Sequence, residues 1–241
     1  TDEPDLTDDM YENAALHNEN GAWQMIFGVN TLPEYRQHGY AGELLRRAID
    51  DARKQGRKGL EEAVKLAQEK NLDFVPPLKK CVVYLTPSEF RTTWLGNKAV
   101  YRTRMAMADG GELIILAPGV ERFGEDMTVD ALIRKYGYKG RLNTLAAFEK
   151  PENEDLRSNM GAAAHLIHGS SDGRFSITYC TKKISREEIE GVGFQWADYD
   201  EMARRYDPEK LTYGRNTMPD GEEIFFIPNP ALGLWADKSK F

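Results

Sequence analysis

The chain has 241 residues, room for one large or two modest domains and ample for a sizeable core. Lysine and arginine number 32 against 39 aspartates and glutamates, a formal charge of -7, and beyond an N-terminal acidic cluster the acids are scattered, which argues against a nucleic acid or an anionic membrane surface as the main partner. The longest apolar runs, such as LIILA, are too short to cross a bilayer, and residues 1–20 are acidic and polar, so the expectation is a soluble, cytoplasmic protein with neither signal peptide nor anchor.

In chain order, LTDDMYENAALHN predicts a short helix with Thr7 as N-cap and acids in its first turn. AWQMIFGV is a continuous apolar run of strand character, bounded by Gly21 and NTLPEY. Leu44, Leu45, Ala48, Ile49 and Ala52 mark one face of a helix that RKQGRKG weakens or ends. LEEAVKLAQEK resumes helical spacing, and the two prolines of FVPPLKK predict a loop. CVVYLT and ELIILAPG suit strands of a sheet covered on both faces, and GNKAVYRTRMAMADGG between them predicts a helix closing in a glycine pair.

TVDALIRKYGY, LNTLAAFE and NMGAAAHLIHG are further predicted helices, and RFSITYC a third strand. ISREEIEGVGFQW opens with the Ser185-to-Glu188 spacing of a capping box, and a smaller strand, EIFFIP, precedes NPALGLW. Strands separated by helices imply an α/β fold, a layered parallel or mixed sheet with helices on both faces, preceded by a partial helix-strand-helix segment. Cys81 and Cys180 sit inside apolar strands and read as buried reduced thiols; no Cys-x-x-Cys pair suggests a zinc or redox site.

From about Asp5 to Gly59 the chain resembles the middle of a GNAT acetyltransferase. The matching pieces are AWQMIFGV, read as the strand lining the acyl-CoA cleft, the loop YRQHGYA and the helix GELLRRAIDDARKQG. Arg36, Gly39 and Ala41 occupy the three positions of the family's Arg/Gln-x-x-Gly-x-Gly/Ala loop. In that family the loop aims unpartnered N–H groups and a helix N-terminus at a pyrophosphate, so the ligand the resemblance implies is acetyl-CoA. Where that fold needs a further strand, after RKG, the chain offers LEEAVKLAQEK. Either a pyrophosphate cradle survives without a catalytic cleft, or this is an ordinary loop and helix packed on its neighbour.

From about Leu60 to Phe241 the chain resembles the C-terminal part of nickel-dependent lactate racemases and related hydroxy-acid or sugar-acid epimerases. The resemblance is carried in order by TTWLGNKAVYRTRMAMADGGELIILAPGVERFGED, IRKYGYKGR, AAHLIHGSSDGRFSITYC and DGEEIFFIPNPALGLW. The family's Tyr-Gln-x-x-Lys substrate-site pattern best matches Trp94 to Lys98, of which only the lysine is retained. The resemblance implies a hydride moved from the hydroxyl-bearing carbon to a nickel-pincer nucleotide and returned on the other face, with a small carboxylate as substrate.

Catalytic candidates are therefore Lys98, His165 and His168, and substrate-binding candidates are Trp94, Asn97, Arg102 and Arg104. Lys98 and Arg102, at i and i+4, form either an anion clamp or a solvated basic face. His165 and His168 form either a proton-carrying or metal-ligating pair or a packed helix end before Gly169. The acids Glu121, Glu125 and Asp126 follow the strand ELIILAPG, where an open α/β sheet presents its ligand loops. Residues 1–59 hold only His17 and His38 and none of the family's nickel-site motifs. Either a separate chain supplies a nickel-cofactor domain, or the protein is not a racemase. An acyl-CoA-dependent transferase and a non-catalytic assembly domain, including a homo-oligomer, are the alternatives.

Overall fold

The computed structural model describes residues 1–2, 7, 9–23, 25, 38–56, 65, 69 and 72–240, and the chain divides into two compact units, Thr1–Asn71 and Leu72–Phe241. In the first, helix α1 (Asp9–Glu12) is followed by a separate 3-10 turn (Ala14–Leu16). The single helix expected from Thr7 is interrupted because the Asn13 side chain accepts from Ala15 N at 3.0 Å, offering the backbone a turn instead of a continued helix. Thr7 stands two positions before the helix, and its carbonyl accepts from Met10 N at 3.1 Å.

Helix α2 (Tyr40–Lys54) follows, with Ala52 buried and Leu45, Ala48 and Ile49 half-buried on one face. It ends at Gln55 before Gly56, whose φ of 67° is left-handed. The strand AWQMIFGV and the helix LEEAVKLAQEK expected from sequence fall almost wholly outside the described residues, as does Arg36.

The second unit opens with β1 (Leu72–Phe74), then β2 (Leu78–Tyr84), the short helices α3 (Thr93–Gly96) and α4 (Lys98–Tyr101), and β3 (Met107–Ala117). Helices α5 (Met127–Tyr136), α6 (Arg141–Glu149), α7 (Glu154–Arg157) and α8 (Met160–His168) lead to β4 (Ser176–Thr181). After α9 (Arg186–Gly191), β5 (Gln195–Asp198) and α10 (Tyr199–Arg205) come β6 (Gly214–Thr217), β7 (Glu223–Ile227) and β8 (Leu234–Ala236). Six strands form one sheet in the order β5-β4-β3-β2-β7-β6, and β1 pairs with β8 apart from it. Every pairing is parallel except that of β6 with β7, so the architecture is a mixed α/β sheet.

Side-chain alternation divides the core between the two faces. Cys81, Val83, Leu113, Ile115, Ile177 and Tyr179 meet Val129, Ile133, Leu166 and Ile189 from helices on one face. Val82, Ile114, Leu116, Cys180 and Phe226 meet Met202 and Tyr206 at the end of α10 on the other. Both cysteines are free and buried. Among the described residues no helix is long and apolar enough to cross a membrane.

Two expected elements are corrected. The helix expected over GNKAVYRTRMAMADGG stops at Tyr101, residues 102–106 turn, and only its end, Met107–Gly111, belongs to strand β3. Thr103 bonds back to the Ala99 carbonyl at 2.6 Å and closes the helix, while Met107 pairs with Leu78 at the start of β3. FVPPLKK is a loop only at residues 75–77, its flanks being β1 and β2. Prolines bar a segment from the middle of a ladder without barring strands on either side of it.

Candidate functional site

From β2, the strands β3, β4 and β5 are laid down successively to one side, whereas β7 lies on the other. The chain direction therefore switches between β2 and β7, and the carboxyl ends of two such strands frame the usual ligand crevice of an open α/β sheet. The segments leaving those ends are residues 85–90 and 228–232. They are joined side chain to side chain, Asn229 Nδ2 donating to Glu89 Oε2 at 2.9 Å. Asn229 Oδ1 in turn accepts from Ala231 N at 2.8 Å, capping the 3-10 turn Pro230–Leu232 on which α4 packs.

Lys98 is the first residue of α4 and is half-buried. Its ammonium lies 5.8 Å from the centre of the Phe90 ring, and no carboxylate among the described residues pairs with it. The position of Lys98 follows from the break between α3 and α4. Thr92 caps α3 through its side chain, and buried Asn97 ends α3 and starts α4, its Oδ1 accepting from Tyr179 at 2.8 Å. Gly96 allows that approach, since a Cβ there would sit 2.9 Å from Leu85 Cδ1 and 3.1 Å from the Tyr179 hydroxyl.

Beneath this turn runs a chain of polar groups. Thr93 Oγ1 donates to the Phe123 carbonyl at 3.1 Å and lies 2.9 Å from the Tyr138 hydroxyl, which lies 2.9 Å from His165 Nε2. A carbonyl only accepts, so Thr93 must accept from Tyr138, and Tyr138 must accept from an Nε2–H. The full set of bonds thus selects the Nε2–H tautomer of a neutral His165. Burial pushes its pKa down to about 4, with nearby His168 acting in the same direction. Burial likewise pushes the Tyr138 phenol up. The Trp94 ring packs against the imidazole, tilted by 31° with 4.3 Å between ring centres.

Of the residues singled out in the sequence, Trp94, Asn97 and His165 are therefore brought into one cluster, with Lys98 at its rim. His168 is exposed at the end of α8. Arg102 lies just past the end of α4 and donates to the Gly233 carbonyl at 3.1 Å, and Arg104 pairs with Asp172 at 3.1 Å. Glu121 pairs with Lys183 at 2.9 Å, Glu125 accepts from the Thr92 hydroxyl, and Asp126 caps α5 by accepting from Val129 N at 2.8 Å. Sequence reasoning passed over Glu89, Thr93, Tyr138, Tyr179 and Asn229. Only Asn229 carried a local signal, an asparagine before a proline at a turn.

Among the described residues no group of three His, Cys, Asp or Glu side chains could hold a metal. In the first unit, Gly39 has a φ of 80° and precedes α2 as its N-cap with no side-chain cap, and Ala41 is the second residue of that helix. A side chain at Gly39 would be strained, though nothing lies within 4 Å of where its Cβ would be.

The model of the Acetyltransferase (GNAT) family matches residues 13–75, a segment that runs past Asn71 into β1. No curated protein matches the sequence. Among solved structures, a protein from Thermotoga maritima is 22% identical with a TM-score of 0.54, the alignment covering 74% of this chain and 41% of that one. The lactate racemase apoprotein from Thermoanaerobacterium thermosaccharolyticum is 13% identical with a TM-score of 0.49, covering 73% of this chain and 39% of that one. This chain matches about two fifths of the length of each. The chain is thus similar to GNAT acetyltransferases over residues 13–75, and its likeness to the Thermotoga protein is one of α/β fold.

Proposed function

We propose that the Leu72–Phe241 unit is the substrate-binding portion of a 2-hydroxy-acid racemase or epimerase acting on a lactate-like or sugar-acid carboxylate. The observation that carries this reading is Lys98, a half-buried cation without an acidic partner among the described residues, placed where the sheet switches direction. Partial burial of a lone ammonium is unfavourable, and a visiting carboxylate relieves it with a charge-assisted hydrogen bond. The hydride chemistry of that reaction class belongs to a nickel-pincer nucleotide, which a segment outside these residues would carry. This unit contributes grip and orientation. Lys98 holds the carboxylate, while Asn97 and the Trp94–His165 ring contact keep the α3–α4 turn in place beneath it.

Thermal unfolding of the full chain tests the reading. Lactate, malate or an aldonate at about 100 times its Kd should stabilise the fold by about 2.7 kcal/mol. Lys98→Met should abolish the shift while leaving the unliganded melting temperature close to the parent's. No shift with any of the three acids counts against the reading.

A second reading is favoured for the first unit by the family match over residues 13–75 and by Gly39 at the head of α2. We propose that this segment binds the pyrophosphate of acetyl-CoA, with Arg36, Gly39 and Ala41 in the loop. Gly39→Asp should abolish acetyl-CoA binding in calorimetry by setting a carboxylate against the phosphates. Undiminished binding by that variant would sink the assignment.

A further inference from the structure

Asn229 is held at both ends of its amide, Oδ1 by Ala231 N at 2.8 Å and Nδ2 by Glu89 Oε2 at 2.9 Å. That pairing uses one of its two N–H groups and one of the two Glu89 oxygens, and among the described residues no cation neutralises Glu89. Phe90, the next residue, is the ring facing Lys98 at 5.8 Å, and α4 packs on the turn that follows Asn229. Lys98 and Glu89 nevertheless do not pair with each other. Phe90 and the turn after Asn229 thus link a cation, an oriented amide donor and an exposed carboxylate with no cation paired to it among the described residues.

Resting on the assignment of Lys98 as carboxylate anchor, we propose that Glu89 and Asn229 are the specificity-determining pair that reads the 2-hydroxyl of the ligand. A protein carboxylate near an anion-binding lysine penalises every anionic ligand unless that ligand offers it a hydrogen. A 2-hydroxy acid carries such a hydrogen on the carbon next to its carboxylate. Its O–H donates to Glu89, and its oxygen accepts the remaining N–H of Asn229. A plain carboxylic acid of the same size meets the repulsion without the bond. The pair thereby selects hydroxy acids through a cost imposed on the others as much as through an attraction.

Calorimetric titration of the full chain with lactate and with propionate tests this. The parent should bind lactate about 10- to 100-fold more tightly than propionate, the range expected for a hydrogen bond to a charged group. Glu89→Gln, at an exposed position, should bring lactate down toward propionate and bind propionate more tightly than the parent does, whereas Lys98→Met should lose both ligands. Equal binding of the two acids by the parent, or equal weakening of both by Glu89→Gln, would overturn the hydroxyl-reading role while leaving the anchor standing. Failure of the parent to bind either acid, or retention of both by Lys98→Met, would overturn the anchor and the pair together.

Discussion

His165 is kept neutral inside the fold, its pKa pushed down to about 4 from an ordinary 6.5, so the unfolded chain takes up a proton at a pH where the folded one does not. Stability from this group is fully present above pH 6.5 and is lost as the pH falls from about 6.5 toward about 4, below which both states are protonated. The full loss is on the order of 3 kcal/mol. Carboxylates held low by their partners, such as Asp130 beside Arg134 and the Phe123 and Gly124 N–H groups, lose their contribution in a more acidic window, from near 3.8 downward. His165→Gln should therefore flatten the stability profile between pH 6.5 and 4.5 without removing the acid limb, as read by urea denaturation. An unchanged slope would mean that the imidazole is solvated in the fold. Tyr138→Phe removes the group that bridges Thr93 and His165 and leaves both short of a partner, at a cost of about 1–3 kcal/mol. A loss well under that range would show that the chain of hydroxyls carries no net stability.

Helix α9 begins with a reciprocal cap in which Glu188 N donates to Ser185 Oγ at 3.3 Å and Ser185 N to Glu188 Oε2 at 3.0 Å. Ser185→Ala should cost about 1 kcal/mol in the same denaturation measurement, and a neutral result would mean that water replaces the hydroxyl. This cap was legible in the sequence because capping is local, and so were α5, α6 and α8, whose helical spacing lies within a few turns of chain. The apolar runs of β2, β3, β4 and β7 were equally legible. Local signals failed where a distant partner decides. Residues 107–111 have no strand pattern of their own, and they enter β3 between the Leu78–Met107 and Lys80–Glu112 pairings with β2, where the register shifts. Strand β6, with sequence GRNT, carries no apolar alternation and exists through its antiparallel pairing with β7. The site divides in the same way. Trp94, Asn97 and Lys98 came from one contiguous motif, whereas Tyr138 and Tyr179 reach Thr93 and Asn97 across 45 and 82 positions of sequence. Glu89 and Asn229 meet across 140.

The molecule joins two compact units, for which different ligands are proposed, a nucleotide pyrophosphate for one and a small hydroxy acid for the other. If each unit binds its own ligand, scanning calorimetry should show acetyl-CoA stabilising the transition of Thr1–Asn71 and lactate that of Leu72–Phe241. A single ligand moving the whole profile would instead mean that the units unfold together. In the second unit, the switch point is proposed as a carboxylate site organised by Lys98. A crystal structure of the full chain grown with a high concentration of lactate tests it most directly. The ligand carboxylate is expected within hydrogen-bond distance of Lys98 Nζ, between the segments that leave β2 and β7. Lactate bound elsewhere, with the Lys98 ammonium facing only solvent, would contradict it.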